Sequence, residues 1–281
     1  MAAFYVSDLD GTLLQDNACL SEFSRRRLRN LIEDGLSFSV ASARSVVSMQ
    51  PLLSSLNLKL PVIEFNGAFV SDLQTGRHEI INAIDPAVAR DVFGLLRKCS
   101  RSLFVSTFNG HADRVYFGEI TNAGEDYYLA NRREQNDPRL RQTTNLSSTL
   151  REAVVCFTVI DKREPLKHLE QEVRARFEGS VEIHCFENMY SPGWYWLTVH
   201  DARATKDQAI AALRGRYDLI DCDLIVFGDH MNDVTMFRSA THAIAVSNAH
   251  PEVKRHATRV VGSNAEDSVV RFIEEHFSGI G

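Results

Sequence analysis

Asp8 and Asp10 stand one residue apart at the end of the first apolar run, where Phe4, Tyr5, Val6 and Ser7 lead into Asp8-Leu9-Asp10-Gly11-Thr12. Like charges at this spacing raise each other's pKa and cost energy unless a cation sits between them. Two readings follow. Asp, Gly and Thr are common turn residues, so the run is a polar turn after a strand. Alternatively it is a metal or phosphoryl site at the carboxyl end of a parallel strand, where open α/β sheets hold their ligands. Three further clusters bear on the choice. Ser42 and Ala43 directly follow an alternating strand pattern, and Lys206 falls in the first turn of a helical pattern. Gly228-Asp229-His230-Met231-Asn232-Asp233 caps the most hydrophobic strand pattern in the chain. Each alone has an ordinary explanation: a loop, a solvated lysine, a polar turn with His230 as a loop residue. Yet a helix N-terminus disfavours a cation, so Lys206 is oddly placed. If all four clusters end parallel strands of one sheet, they converge on one edge.

Together these groups match phosphoryl transfer from a phosphate ester. A carboxylate attacking phosphorus forms an acyl phosphate. Attack on a dianionic ester needs positive charge, which Mg²⁺ held by several carboxylates supplies. A second acid must protonate the leaving alkoxide, and Asp10 is near enough to Asp8 to do so. A lysine offsets charge on nucleophile and phosphoryl oxygens, while a hydroxyl and backbone N–H groups hold the rest. Asp8, Asp10, Ser42, Lys206 and Asp229 cover these roles.

The elements that must position them read as follows. Phe4 to Ser7 is a strand. Ser21 opens a helix with Phe23, Leu28, Leu31 and Ile32 on one face, closed by Gly35. Leu36, Phe38 and Val40 alternate with serines as a strand, Ser45 to Leu56 is helical, and the segment from Pro61 to Val70 is strand with an Asn66-Gly67 turn. This rhythm implies right-handed βαβ crossovers and a parallel sheet. It breaks after about Ala83. Residues 84–200 mix helices (Pro86 to Cys99, Glu164 to Phe177) with strand runs, the pattern of a separate α+β unit. The α/β rhythm returns at Thr205, which with Gln208 is spaced for a capping box. The expected fold is therefore α/β: a Rossmann-like parallel-sheet core, residues 1–83 and 201–281, with an inserted α+β cap, residues 84–200.

Composition agrees with an ordinary globular chain of one large or two moderate domains: 281 residues, 44% hydrophobic and 24% charged. A net charge of −6 argues against a general nucleic-acid binder but not against an anionic substrate, because a metal ion and a few cations dominate one pocket. Cys19, Cys99, Cys156, Cys185 and Cys222 are odd in number and show no metal-ligand spacing, so they read as small buried hydrophobes in a reducing compartment. With no membrane-spanning run and no leader pattern, the expectation is a cytoplasmic protein, monomeric or weakly dimeric.

The chain resembles the haloacid dehalogenase superfamily, and within it the Cof-type phosphatases with a large inserted cap. The resemblance rests on Asp8-Leu9-Asp10-Gly11-Thr12-Leu13, Ser42-Ala43-Arg44, Lys206, Gly228-Asp229-His230-Met231-Asn232-Asp233, Asn66-Gly67-Ala68 and Asn248-Ala249. It covers residues 1–83 and 201–281, and the cap by position and class only. It implies Asp8 as nucleophile and Mg²⁺ ligand, and Asp10 as general acid/base with its carbonyl on the metal. It implies Leu9, Ser42, Ala43, Lys206 and Asn232 as the phosphoryl-binding groups. Asp229 then completes the metal shell, with Asp233 supporting it. Ala43 stands where the family usually has glycine, so a positive φ there is strained.

The implied activity is Mg²⁺-dependent hydrolysis of a small phosphorylated metabolite, such as a sugar phosphate, through an aspartyl-phosphate. A phosphomutase of the same fold, similar to phosphomannomutases, is an alternative. A non-catalytic relative is another, although such proteins lack the nucleophile or metal carboxylates, which are all present here. Against an ATP-driven pump, those relatives carry Thr where Asp10 stands and have membrane spans. In the cap, Tyr190, Trp194, Tyr195 and Trp196 read either as aromatic core or as a wall for a sugar or heterocycle. Alternation places Trp194 and Trp196 on one face and Tyr195 on the other.

Overall fold

Phe4, Tyr5 and Val6 have no exposed surface, because core side chains cover both faces of the strand they form, which also has a parallel partner on each edge. The computed structural model describes residues 2–99 and 102–279. Its strands are β1 (Ala3–Ser7), β2 (Ser37–Val40), β3 (Val62–Glu64), β4 (Phe69–Ser71) and β5 (His78–Ile81), then β6 (Phe104–Phe108), β7 (Asp113–Phe117) and β8 (Leu140–Gln142). β9 (Ala153–Asp161), β10 (Val181–Glu187), β11 (Tyr195–Asp201), β12 (Asp223–Gly228), β13 (His242–Ala245) and β14 (Arg259–Val260) follow. The helices are α1 (Glu22–Glu33), α2 (Val46–Leu53), α3 (Pro86–Cys99), α4 (Ala123–Glu134), α5 (Arg163–Arg176), α6 (Lys206–Arg216), α7 (Val234–Ser239), α8 (Pro251–His256) and α9 (Ser268–Ser278). The chain divides into two units: Met1–Ile80 with Ala204–Gly281, and Ile81–Arg203.

The first unit is built on a parallel sheet in the order β14-β13-β12-β1-β2. Ser7 lies beside Phe227 on one side and Val40 on the other, so the strands end level with one another. A single parallel bridge from Ala41 to Ile63 adds the small sheet β3-β4-β5 next to β2. The segment from Pro61 to Val70 is thus a hairpin, with β3 and β4 antiparallel. Ser21 caps α1 by accepting the Ser24 N–H at 2.9 Å, and Gly35 follows its end at φ +101°. The alternation expected in β2 is absent, because Ser39 is as buried as Phe38 and Val40. Both faces of that strand are covered, and the Ser39 hydroxyl is satisfied by donating to the Pro61 carbonyl at 2.6 Å. The helix expected over Ser45 to Leu56 ends at Leu53 and closes in a 3₁₀ turn, Ser54–Leu56. The capping box expected from Thr205 and Gln208 does not form: the Thr205 side chain makes no capping bond and its buried hydroxyl has no partner.

The second unit is a sheet in the order β10-β11-β9-β6-β7-β8, antiparallel except for β8, which runs parallel to β7. One face packs Phe157, Val159, Leu197 and Val199 with Val92 and Leu96 of α3 and Leu166, Leu169 and Val173 of α5. The other packs Phe104, Phe117, Ile160 and Trp196 with Leu129 of α4. Trp194 joins this second cluster and Tyr195 the first, as strand alternation expects. The Lys162 ammonium lies 3.6 Å from the Trp194 ring centroid. Trp196 is buried and Trp194 and Tyr195 pack half-buried against the two clusters, which favours the core reading for these three; Tyr190 belongs to neither cluster. All five cysteines are free thiols, but only Cys156 is buried as expected; Cys19 and Cys99 are exposed and Cys185 and Cys222 half-buried. No helix among the described residues is long and apolar enough to cross a membrane.

Within this unit His200 is 1% exposed, and its Nδ1–H donates to the Val155 carbonyl at 3.2 Å. Nε2 then faces the Cys156 thiol at 3.7 Å. Burial holds the imidazole neutral, with its pKa lowered to about 4, and pushes the thiol up to about 12. A histidine depressed in the folded state stabilises fully above its unfolded pKa of about 6.5 and loses that contribution as pH falls toward 4. The loss amounts to on the order of 3 kcal/mol. Because Trp194 and Trp196 are the only tryptophans and both lie here, their fluorescence reads the unfolding of this unit. Urea titrations at pH 7 and pH 4.5 are expected to show the loss in the wild type and a smaller one in His200→Gln. Equal losses in both would assign the acid sensitivity elsewhere.

Candidate active site

Asp8 extends β1 by one residue, its N–H donating to the Phe227 carbonyl at 2.9 Å. The chain then coils tightly through Leu9–Leu13, closed by the Leu14 N–H donating to the Leu9 carbonyl at 2.9 Å. Gly11 turns this loop at φ +74°, and a Cβ there would lie 2.5 Å from Asp229 Oδ2. Only glycine admits both the left-handed backbone and that approach. Thr12 donates its hydroxyl to Asp229 Oδ1 at 2.8 Å. Asn248 props the loop from behind, donating from Nδ2 to the Gly11 carbonyl at 2.8 Å while its Oδ1 accepts the Asn264 N–H at 3.0 Å.

The fourth cluster is shaped by Asp233, which has no exposed surface. Its Oδ2 accepts the N–H groups of Asp229 and His230, both at 2.9 Å. Its Oδ1 accepts from Lys206 Nζ at 2.6 Å. That same ammonium donates to Asp8 Oδ1 at 2.6 Å. Lys206 is 1% exposed, so the lysine in the first turn of α6 points inward and bridges two carboxylates. Burial alone would depress its pKa; the charges of Asp233 and Asp8 outweigh burial and hold it above the usual lysine value. Burial, then the charges of Asp233 and Asp229, push the Asp8 carboxyl well up against the pull of Lys206. Burial and Asp233 raise Asp229 to about 7, opposed by the Thr12 hydrogen bond.

Ligand oxygens of Asp8, Asp229 and Asp233 all lie within 4.8 Å of one another. Three carboxylates around one ammonium leave an excess of negative charge in a buried place. All the donors are hard oxygens. Both facts fit a hard divalent cation, with Asp8 and Asp229 as its carboxylate ligands and Asp233 fixing the loop that presents Asp229.

The remaining sequence expectations fall as follows. Asp10 is not in the three-carboxylate cluster. Its two oxygens accept from Arg44 Nη2 and Nε at 2.6 and 2.7 Å, a bidentate pair. Ser42 is 1% exposed and stands at the level end of β2, with its Oγ accepting the Arg44 N–H at 3.2 Å. Ala43 does not take a positive φ, so the strain weighed for it does not arise. Leu9 is wholly buried beneath the loop. Asn232 donates from Nδ2 to Asn66 Oδ1 at 2.9 Å. His230 contributes its backbone N–H to Asp233, the loop role expected of it. Thr12 and Arg44 are working groups that the local sequence does not mark. Their signal was a hydroxyl two residues past Asp10 and a guanidinium two past Ser42, each too common to stand out.

A family model described as haloacid dehalogenase-like hydrolase matches residues 5–273. The chain is 25% identical to 5-amino-6-(5-phospho-D-ribitylamino)uracil phosphatase YitU of Bacillus subtilis (strain 168), over 96% of each chain. It is 26% identical to pyridoxal phosphate phosphatase YbhA of Escherichia coli (strain K12), again over 96% of each. Among solved structures, TM0651 from Thermotoga maritima is similar at a TM-score of 0.77 and 28% identity, over 98% of this chain and 97% of that one. A haloacid dehalogenase-like hydrolase from Bacteroides thetaiotaomicron shares the fold at a TM-score of 0.79 and 22% identity, over 98% of this chain and 99% of that one. The family match spans both halves of the first unit and all of the second, and the relatives are aligned over nearly their whole length. The chain is an enzyme of the phosphatase class and belongs to the haloacid dehalogenase-like hydrolases.

Proposed function

We propose that the protein is a Mg²⁺-dependent phosphatase that hydrolyses a small phosphorylated metabolite through an aspartyl-phosphate on Asp8. The observation that carries this is the buried Lys206 ammonium held between Asp8 and Asp233 inside the three-carboxylate cluster. An oxygen of Asp8 attacks phosphorus, and the ester P–O bond breaks as Asp10, turned from Arg44 and protonated from solvent before the attack, gives that proton to the leaving oxygen. Asp10 then takes a proton from water, whose oxygen attacks phosphorus and releases inorganic phosphate from Asp8. Lys206, the Ser42 hydroxyl, the Leu9 and Ala43 backbone and Asn232 hold the phosphoryl oxygens throughout. When bound, Mg²⁺ supplies charge that offsets the dianionic ester. Every one of these groups lies in the Met1–Ile80 and Ala204–Gly281 unit. We assign the choice of ester to the Ile81–Arg203 unit, acting as the cap. Pyridoxal phosphate and the phosphorylated pyrimidine named for the relatives are the first compounds to try, beside sugar phosphates.

The direct test is turnover of such a panel and of an aryl phosphate, with Mg²⁺ and with excess chelator. Chelator is expected to abolish activity, and re-added Mg²⁺ to restore it. Mg²⁺ at about a hundred times its Kd should also stabilise the wild type by about 3 kcal/mol. Asp229→Ala should lose both the activity and the stabilisation. Full turnover in chelator would remove the metal from the reading.

A further inference from the structure

Three consecutive residues, Phe65, Asn66 and Gly67, have left-handed backbones, with φ of +48°, +57° and +114°. A bulky residue such as Phe65 holds that conformation only where its surroundings enforce it. The enforcing contacts are those of the proposed site. The Phe65 N–H donates to the Arg44 carbonyl at 3.1 Å and the Asn66 N–H to the Ser42 carbonyl at 2.9 Å. Gly67 passes so near the residue before Lys206 that a Cβ would lie 2.5 Å from the Thr205 carbonyl oxygen. Glu64, wholly buried, anchors the start of the turn: its carboxylate accepts the Val46 N–H at 2.6 Å and the Ser71 hydroxyl. One strained turn therefore joins the segments that carry Ser42, Lys206 and, through the Asn66 side chain, Asn232.

An asparagine amide has two N–H donors and one carbonyl acceptor. Asn66 Oδ1 takes one N–H of Asn232, which fixes the plane of that amide and leaves its second N–H to point at a ligand. Asn66 itself is 2% exposed and contributes no surface for substrate. We propose that Asn66 is a positioning residue for the reaction: its carbonyl orients Asn232 for phosphoryl binding, and the left-handed turn exists to place it. This rests on the phosphatase reading above.

Asn66→Gly tests it, because glycine keeps the left-handed backbone while removing the acceptor. In the full chain with Mg²⁺, the KM for an aryl phosphate and the inhibition constant of inorganic phosphate are expected to rise about tenfold, the scale of one hydrogen bond to a charged group. The kcat is expected to fall by less than about threefold, because Asn232, which the lost bond orients, holds the phosphoryl group equally before and during reaction. Asn232→Ala should raise both constants similarly, and adding Asn66→Gly to it should change them less than about twofold, since the two residues act as one. A loss of stability alone moves the melting temperature without this coupling. Unchanged constants in Asn66→Gly, or effects that multiply in the double variant, would overturn the assignment. A wild type that neither hydrolyses phosphomonoesters nor binds inorganic phosphate would overturn the phosphatase reading instead.

Discussion

Asp8→Asn is expected to reduce turnover of an aryl phosphate by about 10⁴-fold or more, the loss seen when a nucleophile is removed from a covalent mechanism. The side chain keeps its shape but loses the attacking oxygen. The fold should tolerate the change well. Lys206 retains its 2.6 Å contact with Asp233, so the buried ammonium keeps a counter-charge. One of three crowded carboxylates is removed, so the metal-free variant should melt no lower than the wild type and should still bind inorganic phosphate. Steady-state kinetics, thermal melting and a phosphate competition assay check the three parts. Mass spectrometry of acid-quenched wild type during turnover should show one added phosphoryl group, absent from the variant. Turnover within about tenfold of the wild type would eliminate Asp8 as the attacking group, because electrostatic effects alone leave far larger residual rates than nucleophile loss.

Lys206→Ala should show the largest combined effect on stability and activity. The change leaves Asp8, Asp229 and Asp233 around a void with no cation among them. Breaking a buried ion pair by removing one partner costs about 3–5 kcal/mol. For a protein of this size that lowers the melting temperature by roughly 10 °C. The variant should gain more stability than the wild type as pH falls: Asp8 and Asp229 are already raised in the wild type, and without the ammonium protonating a carboxylate relieves a larger repulsion. It should also gain more from Mg²⁺ than the wild type does, since the cation then meets an uncompensated cluster. Even with Mg²⁺, kcat should remain depressed by about 10³-fold, as expected when a charge-stabilising donor leaves the reacting centre. Melting curves at pH 5 and pH 8, with and without Mg²⁺, separate these contributions. A variant that melts like the wild type at every pH would mean that the lysine does not neutralise the cluster.

The sequence by itself determined the groups and the scaffold that holds them. Asp8, Asp10, Lys206 and Asp229 are legible because each ends or begins an element whose apolar pattern is strong, and local pattern needs no knowledge of distant residues. The parallel α/β class followed from the strand–helix rhythm for the same reason. What failed locally failed where distant chain decides. Ser39 reads as a solvent-facing strand position, yet a second covered face buries it. Thr205 and Gln208 carry the spacing of a capping box, but the start of α6 is set by its neighbours, among them Gly67 against the Thr205 backbone. In α4, Leu129 is the one large buried apolar side chain, too faint a stripe to announce a helix. Tertiary structure alone decided the working state of each polar group. Whether Lys206 is solvated or buried depends on Asp233, 27 residues away, and Asp8, 198 away. Whether Asp10 joins the carboxylates or pairs with Arg44 depends on a guanidinium 34 residues along the chain. Charge, burial and hydrogen bonding act through space over a few ångströms, and only the register of β12, β1 and β2 brings those residues within that range.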